Sequence, residues 1–290
     1  MRPIATSGMI GMLCLILIPM FTFAAQDTPA QEEKSIIAGT YNLRFDNPSD
    51  GANGWPLRKE SVKALIRFHE FDVFGTQEGL GNQIQDLSEM SEFSHVGVGR
   101  DDGLDAGEHS TIFFRNSSFL LQRHGDFWLS ETPGQPSLGW DAECCKRIAT
   151  WARLRDRKSG KSFYVFSVHF DHQGIVARRE SARLVLRKIE EIAGTQPVIC
   201  LGDFNSTPDT EQIGIMRSTL RDARDVSEAA PYGPAATFNG FRWGELPKDR
   251  IDYIFVTKRV RIIKYGTLTD SLNQRYPSDH FPVMTRLILK

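Results

Sequence analysis

Cysteine is scarce in this chain, with four residues in 290, and one of them, Cys14, lies in an apolar stretch near the start. The other three, Cys144, Cys145 and Cys200, are an odd number and cannot close into a disulfide framework. Adjacent cysteines rarely bridge without strain, so no bond is expected between Cys144 and Cys145. Their spacing does not suit zinc either. Cys200, inside Val198-Ile-Cys-Leu201, reads as a small buried hydrophobe. The fold must therefore be held mainly by its core, which a chain of this length can supply.

An excess of charge of one sign is also missing. There are 35 basic and 36 acidic residues, which argues against the nonspecific nucleic-acid binding that surplus Lys and Arg provide. With 40% hydrophobic and 24% charged residues, disorder, collagen, coiled coil and a multi-span membrane protein are excluded. From Ser35 onward there is no low-complexity linker, solenoid repeat or composition break, so residues 35–290 are expected as one domain.

A prominent apolar run, Met9 to Phe21, comes near the start. It falls short of the roughly 20 residues that span a bilayer comfortably. Arg2 precedes it and the small-residue stretch Thr22-Phe-Ala-Ala25 follows. That layout is a secretory signal peptide over residues 1–25. The polar residues 26–34 then form a flexible leader. The expectation is export, to a periplasm or beyond the cell, with no lasting membrane insertion after cleavage.

Apolar runs with strand character cover Ile36–Leu43, Val73–Thr76, Thr111–Arg115, Thr150–Arg157, Ser162–Phe170, Val198–Leu201, Arg250–Val256 and Phe281–Leu289. Arg155 to Lys161 reads as a hairpin turn with Ser-Gly at its tip. Helical periodicity runs through Arg58–Phe68 and, more clearly, Ile175–Ile192. Strands separated by few helices point to helices packed outside stacked sheets.

Polar side chains cluster at the ends of these runs. They are Asn42 in Tyr-Asn-Leu-Arg, Glu78 in Thr-Gln-Glu, His169 in Ser-Val-His-Phe-Asp-His, Asp203 and Asn205 in Gly-Asp-Phe-Asn, Asp252 in Arg-Ile-Asp-Tyr, and Asp279-His280 in Ser-Asp-His-Phe-Pro. Any one alone is ordinarily a turn or cap residue. In this order and spacing, from Tyr41 to the C-terminus, they resemble the endonuclease/exonuclease/phosphatase superfamily. Its members include deoxyribonuclease I, apurinic endonucleases, bacterial neutral sphingomyelinases, inositol polyphosphate phosphatases and deadenylases. Gly-Asp-Phe-Asn followed by Ser-Asp-His is the most specific pair. Phe127-Trp-Leu-Ser-Glu-Thr-Pro and Thr150-Trp-Ala-Arg153 resemble a secreted bacterial branch.

The resemblance implies a four-layer α/β sandwich, two mixed sheets face to face with helices outside, and hydrolysis of a phosphoester assisted by Mg²⁺ or Mn²⁺. Such hard cations take oxygen ligands and keep waters. Glu78 is the implied principal metal ligand, with Asn42 beside it and Asp279 nearby. Asp203 would deprotonate the attacking water, and Asn205 would hold that water or the phosphate. His280 would contact the phosphate or move a proton, and Asp252 is favoured over Asp279 as its partner. His169 falls where relatives stabilise the phosphate or leaving group. Arg44 and Arg147 match phosphate-contacting arginines, with a surface ion pair as the alternative for each. Glu108 is weighed as a neighbour of His169, and His172 as a residue of the pocket wall.

For the substrate, a small organic phosphomonoester or phosphodiester is favoured. The basic stretches Arg153–Lys161 and Lys258–Lys264 alternate with apolar residues, as solvated sheet faces do. No aromatic-rich basic groove for single strands is evident. Phe238–Trp243, in a Gly-rich loop, is a candidate wall for an organic leaving group. A DNA or RNA nuclease is the alternative, and a noncatalytic binding module the remote third.

Overall fold

The computed structural model describes residues 35–290 and, nearer the start, Met1, residues 3–6 and Gly8. The expected signal peptide and leader lie almost wholly outside the described residues. The chain divides into Met1–Glu33 and Lys34–Lys290, and the second unit carries everything below. Among the described residues, no helix is long and apolar enough to cross a membrane.

Runs of Val, Ile, Phe and Leu that are buried on both faces make the central strands. In chain order these elements are β1 (Ile36–Asn42), α1 (Trp55–Phe68), β2 (Val73–Gln77), α2 (Gly81–Ser88), β3 (Phe93–Val96), β4 (Ile112–Arg115) and β5 (Phe119–Trp128). They continue with β6 (Ile148–Asp156), β7 (Ser162–His169), α3 (Ile175–Ala193), β8 (Val198–Asp203), α4 (Glu211–Thr219) and β9 (Arg221–Asp222). The last are β10 (Asp252–Val256), β11 (Val260–Thr267) and β12 (Val283–Leu289). One six-stranded sheet has the order β11-β12-β1-β2-β4-β3, the other β5-β6-β7-β8-β10-β9. Both are mixed: β1 runs parallel to β2, and β7 to β8, while the other pairings are antiparallel.

Three apolar seams join four layers, the expected sandwich. Between the sheets, Ala38, Val73 and Ile112 of one meet Val165, Leu201 and Ile254 of the other. The seams are close: a Cβ on Gly75 would lie 2.2 Å from Leu201 Cδ1. Outside the first sheet, Val62, Ile66, Ile84 and Leu87 of α1 and α2 cover Tyr41 and Phe74. Outside the second, Ala182, Val185, Ile189, Ile213 and Met216 of α3 and α4 cover Phe166 and Phe204. Every residue of β1, β2, β8 and β10 is buried, which explains why these read as continuous apolar runs rather than alternating ones.

The turn between β6 and β7 is the expected hairpin. Asp156 Oδ1 accepts from Lys158 N at 2.8 Å and Ser159 N at 2.7 Å, and Gly160 turns with φ +73°. The strands β3, β5, β9 and β11 and the helices α2 and α4 are additions to the sequence reading. Most are short or polar: the middle of β5 is exposed, so its residues carry no apolar signal.

One sequence expectation is overturned. Cys144 and Cys145 are joined by a disulfide, because the segment entering β6 bends sharply enough to bring the neighbouring sulfurs together. Cys200 is free and buried, and burial pushes its thiol pKa far above the ordinary value.

Candidate active site

The strand ends converge at one edge of the two sheets. Gly202 makes this possible on β8, since a Cβ there would sit 2.0 Å from Val168 O. Without one, β8 closes against β7 and sets His169 in register with Asp203. Phe204 then turns inward, fully buried against Phe170, Tyr253 and Phe255 at centroid distances of 4.7, 5.5 and 5.2 Å. This anchor leaves Asp203 and Asn205 on the wall of a pocket. Arg44, Glu78 and Asn205 all adopt positive φ, at 56°, 62° and 45°, backbone strain of the kind that surrounding contacts must hold in place.

The pocket has a cavity volume of about 350 Å³ and is lined by Arg44, Phe45, Glu78, Arg100, Glu108, Cys145, Arg147, His169, His172, Asp203, Asn205, Phe238, Ile251, Asp279 and His280. Ten of the twelve residues singled out from the sequence are in that lining. The other two, Asn42 and Asp252, are buried side chains that hydrogen-bond to lining residues.

Asn42 donates through Nδ2 to Glu78 Oε1 and to Asp203 Oδ2, both at 3.0 Å, while its Oδ1 accepts from Arg44 N at 3.0 Å. In this orientation Asn42 links the carboxylates of Glu78 and Asp203. Glu78 Oε2 accepts from Phe45 N at 3.2 Å. Asp203 Oδ1 accepts from Asn205 N at 2.8 Å, and Asn205 Nδ2 donates to Phe170 O at 3.0 Å. Burial, then the nearby Asp252, push the Asp203 carboxyl up to about 7. A group poised there is suited to accept a proton at neutral pH.

The two histidines differ in charge. His280 Nδ1 lies 2.9 Å from Asp252 Oδ2 and its Nε2 3.9 Å from Asp203 Oδ2. Burial alone would favour the neutral ring, but Asp252, with Asp203 and Asp279, raises its pKa well above the ordinary value. Asp252 is thus the partner, as the family pattern favours. His169 is lowered well below the ordinary value by burial and then by Arg147 and Arg100, so it is a neutral imidazole. Its ring nitrogens lie 3.1 and 3.3 Å from Arg147 Nη1, with Glu108 Oε2 at 3.7 Å from Nδ1. Glu108 therefore is a neighbour of His169, and it also binds Arg100 at 2.6 Å.

Arg147 is buried and reaches His172 Nδ1 at 2.7 Å and Asp171 Oδ2 at 3.3 Å. It is not a surface ion pair. Arg44 lines the pocket too, held through Nε and Nη2 by Asp50 at 2.9 and 3.0 Å. Asp279 is fixed by its backbone, whose carbonyl accepts from Asn239 N at 2.8 Å and Gly240 N at 2.9 Å; burial raises its carboxyl pKa. Arg100 and Phe45 escaped the sequence reading because neither carries a motif of its own, and Ile251 because it is the apolar residue before Asp252 in Arg-Ile-Asp-Tyr. Phe238 packs edge-on to His280 at 5.1 Å, as a wall of the pocket, whereas Trp243 lies tilted against Tyr276 and is exposed.

The donor set fits a hard divalent cation. Glu78, His169 and Asp203 have ligand atoms within 4.8 Å of one another, as do Asp203, Asp252 and His280. The buried Asp252 Oδ1 lacks a hydrogen-bond partner. Carboxylate oxygens dominate, the chemistry that Mg²⁺ and Mn²⁺ prefer.

Residues 39–280 match the model of the Endonuclease/Exonuclease/phosphatase family. A crystal structure of a member of that family from Bacteroides thetaiotaomicron is 40% identical, with 89% of this chain and 99% of that one covered and a TM-score of 0.85. A mannosyl-6-phosphatase from Bacteroides thetaiotaomicron is also 40% identical over 88% of this chain and all of its own, with a TM-score of 0.84. Among curated proteins, the uncharacterized protein L388 of Acanthamoeba polyphaga mimivirus is 27% identical across 79% of this chain and 91% of its own. Sheets, pocket and motif order thus agree with sequence likeness over nearly the whole described unit: the chain belongs to the endonuclease/exonuclease/phosphatase family, a family of phosphate-ester hydrolases.

Proposed function

We propose that this protein is an exported, divalent-metal-dependent phosphatase acting on a small organic phosphate ester, with a sugar phosphate as the first candidate. The observation that carries the reading is Asp203, a buried carboxyl held by Asn42 Nδ2 at 3.0 Å and Asn205 N at 2.8 Å on the wall of the pocket. It shares its pocket with a cationic His280 and a neutral His169. Asp203 takes the proton of the attacking water. His280, held by Asp252, donates to a phosphoryl oxygen. Arg147 and Arg44 supply planar donors for the remaining oxygens. A cation held by Glu78, with Asp279 and Asp203 at hand, would offset charge developing on the phosphoryl group.

The pocket volume is in the range of small-molecule sites, roughly 300–1,000 Å³, and the chain has no net positive charge. Both favour a small ester over a nucleic acid. The 40%-identical mannosyl-6-phosphatase adds weight to a sugar phosphate. Export is supported by the N-terminal sequence pattern alone.

The test is a panel of sugar, lipid and nucleotide phosphates beside plasmid DNA and RNA, each with Mg²⁺, Mn²⁺ or EDTA. Release of phosphate from a sugar phosphate, abolished by EDTA, is expected. Rapid nucleic-acid cleavage that falls steeply with salt would replace this reading with the nuclease one. Export is checked by the N-terminal residue of protein recovered outside the cytoplasm.

A further inference from the structure

The catalytic groups leave one feature of the pocket wall unused. The disulfide joins Cys144 to Cys145, and Cys145 lines the same cavity as His169, His172 and Asp203. Two residues further on, Arg147 holds both of those histidines. The strand after it is fixed, since Leu129 N donates to Arg147 O at 2.8 Å. Lys146 is tied through Nζ to Asp101 O at 2.7 Å, and before the cysteines Ala142 N donates to Gly139 O at 2.9 Å. Between these ties the disulfide closes a small ring around the intervening peptide, and that ring fixes where the Cys145 wall stands.

Sulfur in a disulfide is apolar and a poor hydrogen-bond partner. Most of the lining is charged or strongly polar, suited to the phosphate; the exceptions, besides Cys145, are Phe45, Phe238 and Ile251. The organic portion of an ester needs such surface, because affinity for it comes from apolar contact and fixed shape.

We propose that the Cys144–Cys145 disulfide is a specificity element: a rigid apolar platform that contacts the organic part of the phosphate ester and sets KM rather than the chemical step. The proposal rests on the phosphoesterase reading and deepens it. Reduction tests it directly, since Cys144 is exposed. Dithiothreitol supplies two electrons and two protons, the S–S bond becomes two thiols, and the reagent closes to its own cyclic disulfide.

The experiment compares the full chain, oxidised and reduced, with the double variant Cys144→Ser/Cys145→Ser, using mannose 6-phosphate as substrate and inorganic phosphate as inhibitor. Losing one good apolar contact is worth about tenfold. KM for the ester is expected to rise about tenfold on reduction and in the variant, with kcat and phosphate inhibition changed by less than about threefold. Reoxidation restores the wild type, and dithiothreitol does nothing to the variant. An unchanged KM on reduction overturns the proposal, as does a peptide mass showing two thiols at Cys144 and Cys145 in oxidised protein. If no form hydrolyses mannose 6-phosphate, the sugar-phosphate reading fails. The platform is then judged by the affinity of mannose 6-phosphate in calorimetry, where equal binding by the oxidised and reduced chain rejects it.

Discussion

His169 and Asp203 sit opposite each other on the parallel strands β7 and β8, with His169 Nε2 3.7 Å from an Asp203 carboxylate oxygen. Neither is charged in the ordinary way. Burial and two arginines keep the ring neutral, while burial and Asp252 keep the carboxyl protonated further into the neutral range. The pair therefore offers an acceptor at neutral pH without a fixed ion pair between them.

Asp203→Asn is expected to lower kcat by about 10²–10⁴ while leaving the fold intact, the range of a lost general base. Circular dichroism and single-turnover kinetics check both halves. Near-normal turnover removes Asp203 from the reaction.

The same residue sets the acid limb of kcat/KM. Activity is expected to rise with pH through about 7 as Asp203 loses its proton, and the limb to move lower as Mg²⁺ is raised, because a cation favours the carboxylate. The stability sign is opposite: the folded state holds its proton to higher pH than the unfolded chain does. Stability therefore falls from about pH 4 to about pH 7. In EDTA at pH 8, Asp203→Asn is expected to melt no lower than wild type; a clear drop in Tm contradicts this.

For His280, the linkage runs the same way. A folded pKa raised above the unfolded value stabilises the protein below the unfolded pKa and loses that contribution as pH rises through the folded one. Asp252→Asn keeps a hydrogen bond but removes the charge, so the His280 pKa is expected to fall toward neutrality. Activity is expected to drop by about tenfold or more at pH 8. Titration of the ring by NMR reads the shift, and an unmoved pKa breaks the assignment.

Glu78→Gln is expected to raise the Mg²⁺ concentration needed for half-maximal activity by about tenfold or more, the size of losing one carboxylate ligand. An unchanged requirement would show that the ion is held elsewhere.

Outside the pocket lining, Arg250 pairs with Asp222 at 2.6 and 2.9 Å, and Arg217 joins at 2.9 Å. Asp222 is 2% exposed and Arg250 5%. Asp222→Ala strands a buried guanidinium, and a loss of about 3–5 kcal/mol in urea unfolding is expected. A loss below about 1 kcal/mol would mean that water reaches Arg250.

Central strands were plain in the sequence because burial on both faces demands unbroken apolar runs, as in Val198–Leu201. Helices α1 and α3 were plain because each covers a sheet with one apolar stripe. β5 was hidden, since its middle is exposed, and α2 was hidden by its eight residues. The strand-end polar residues stood out because a carboxylate or imidazole closing an apolar run has few structural reasons to recur in one order.

From its own order of residues the chain determines which side chains arrive at the sheet edge, since strand period and burial fix their positions. Tertiary structure alone decided the charge of each histidine, the orientation of Asn42, and the arrival of Arg100 and Ile251. Those depend on burial and on distances between segments far apart in the chain, and no local pattern of residues encodes either.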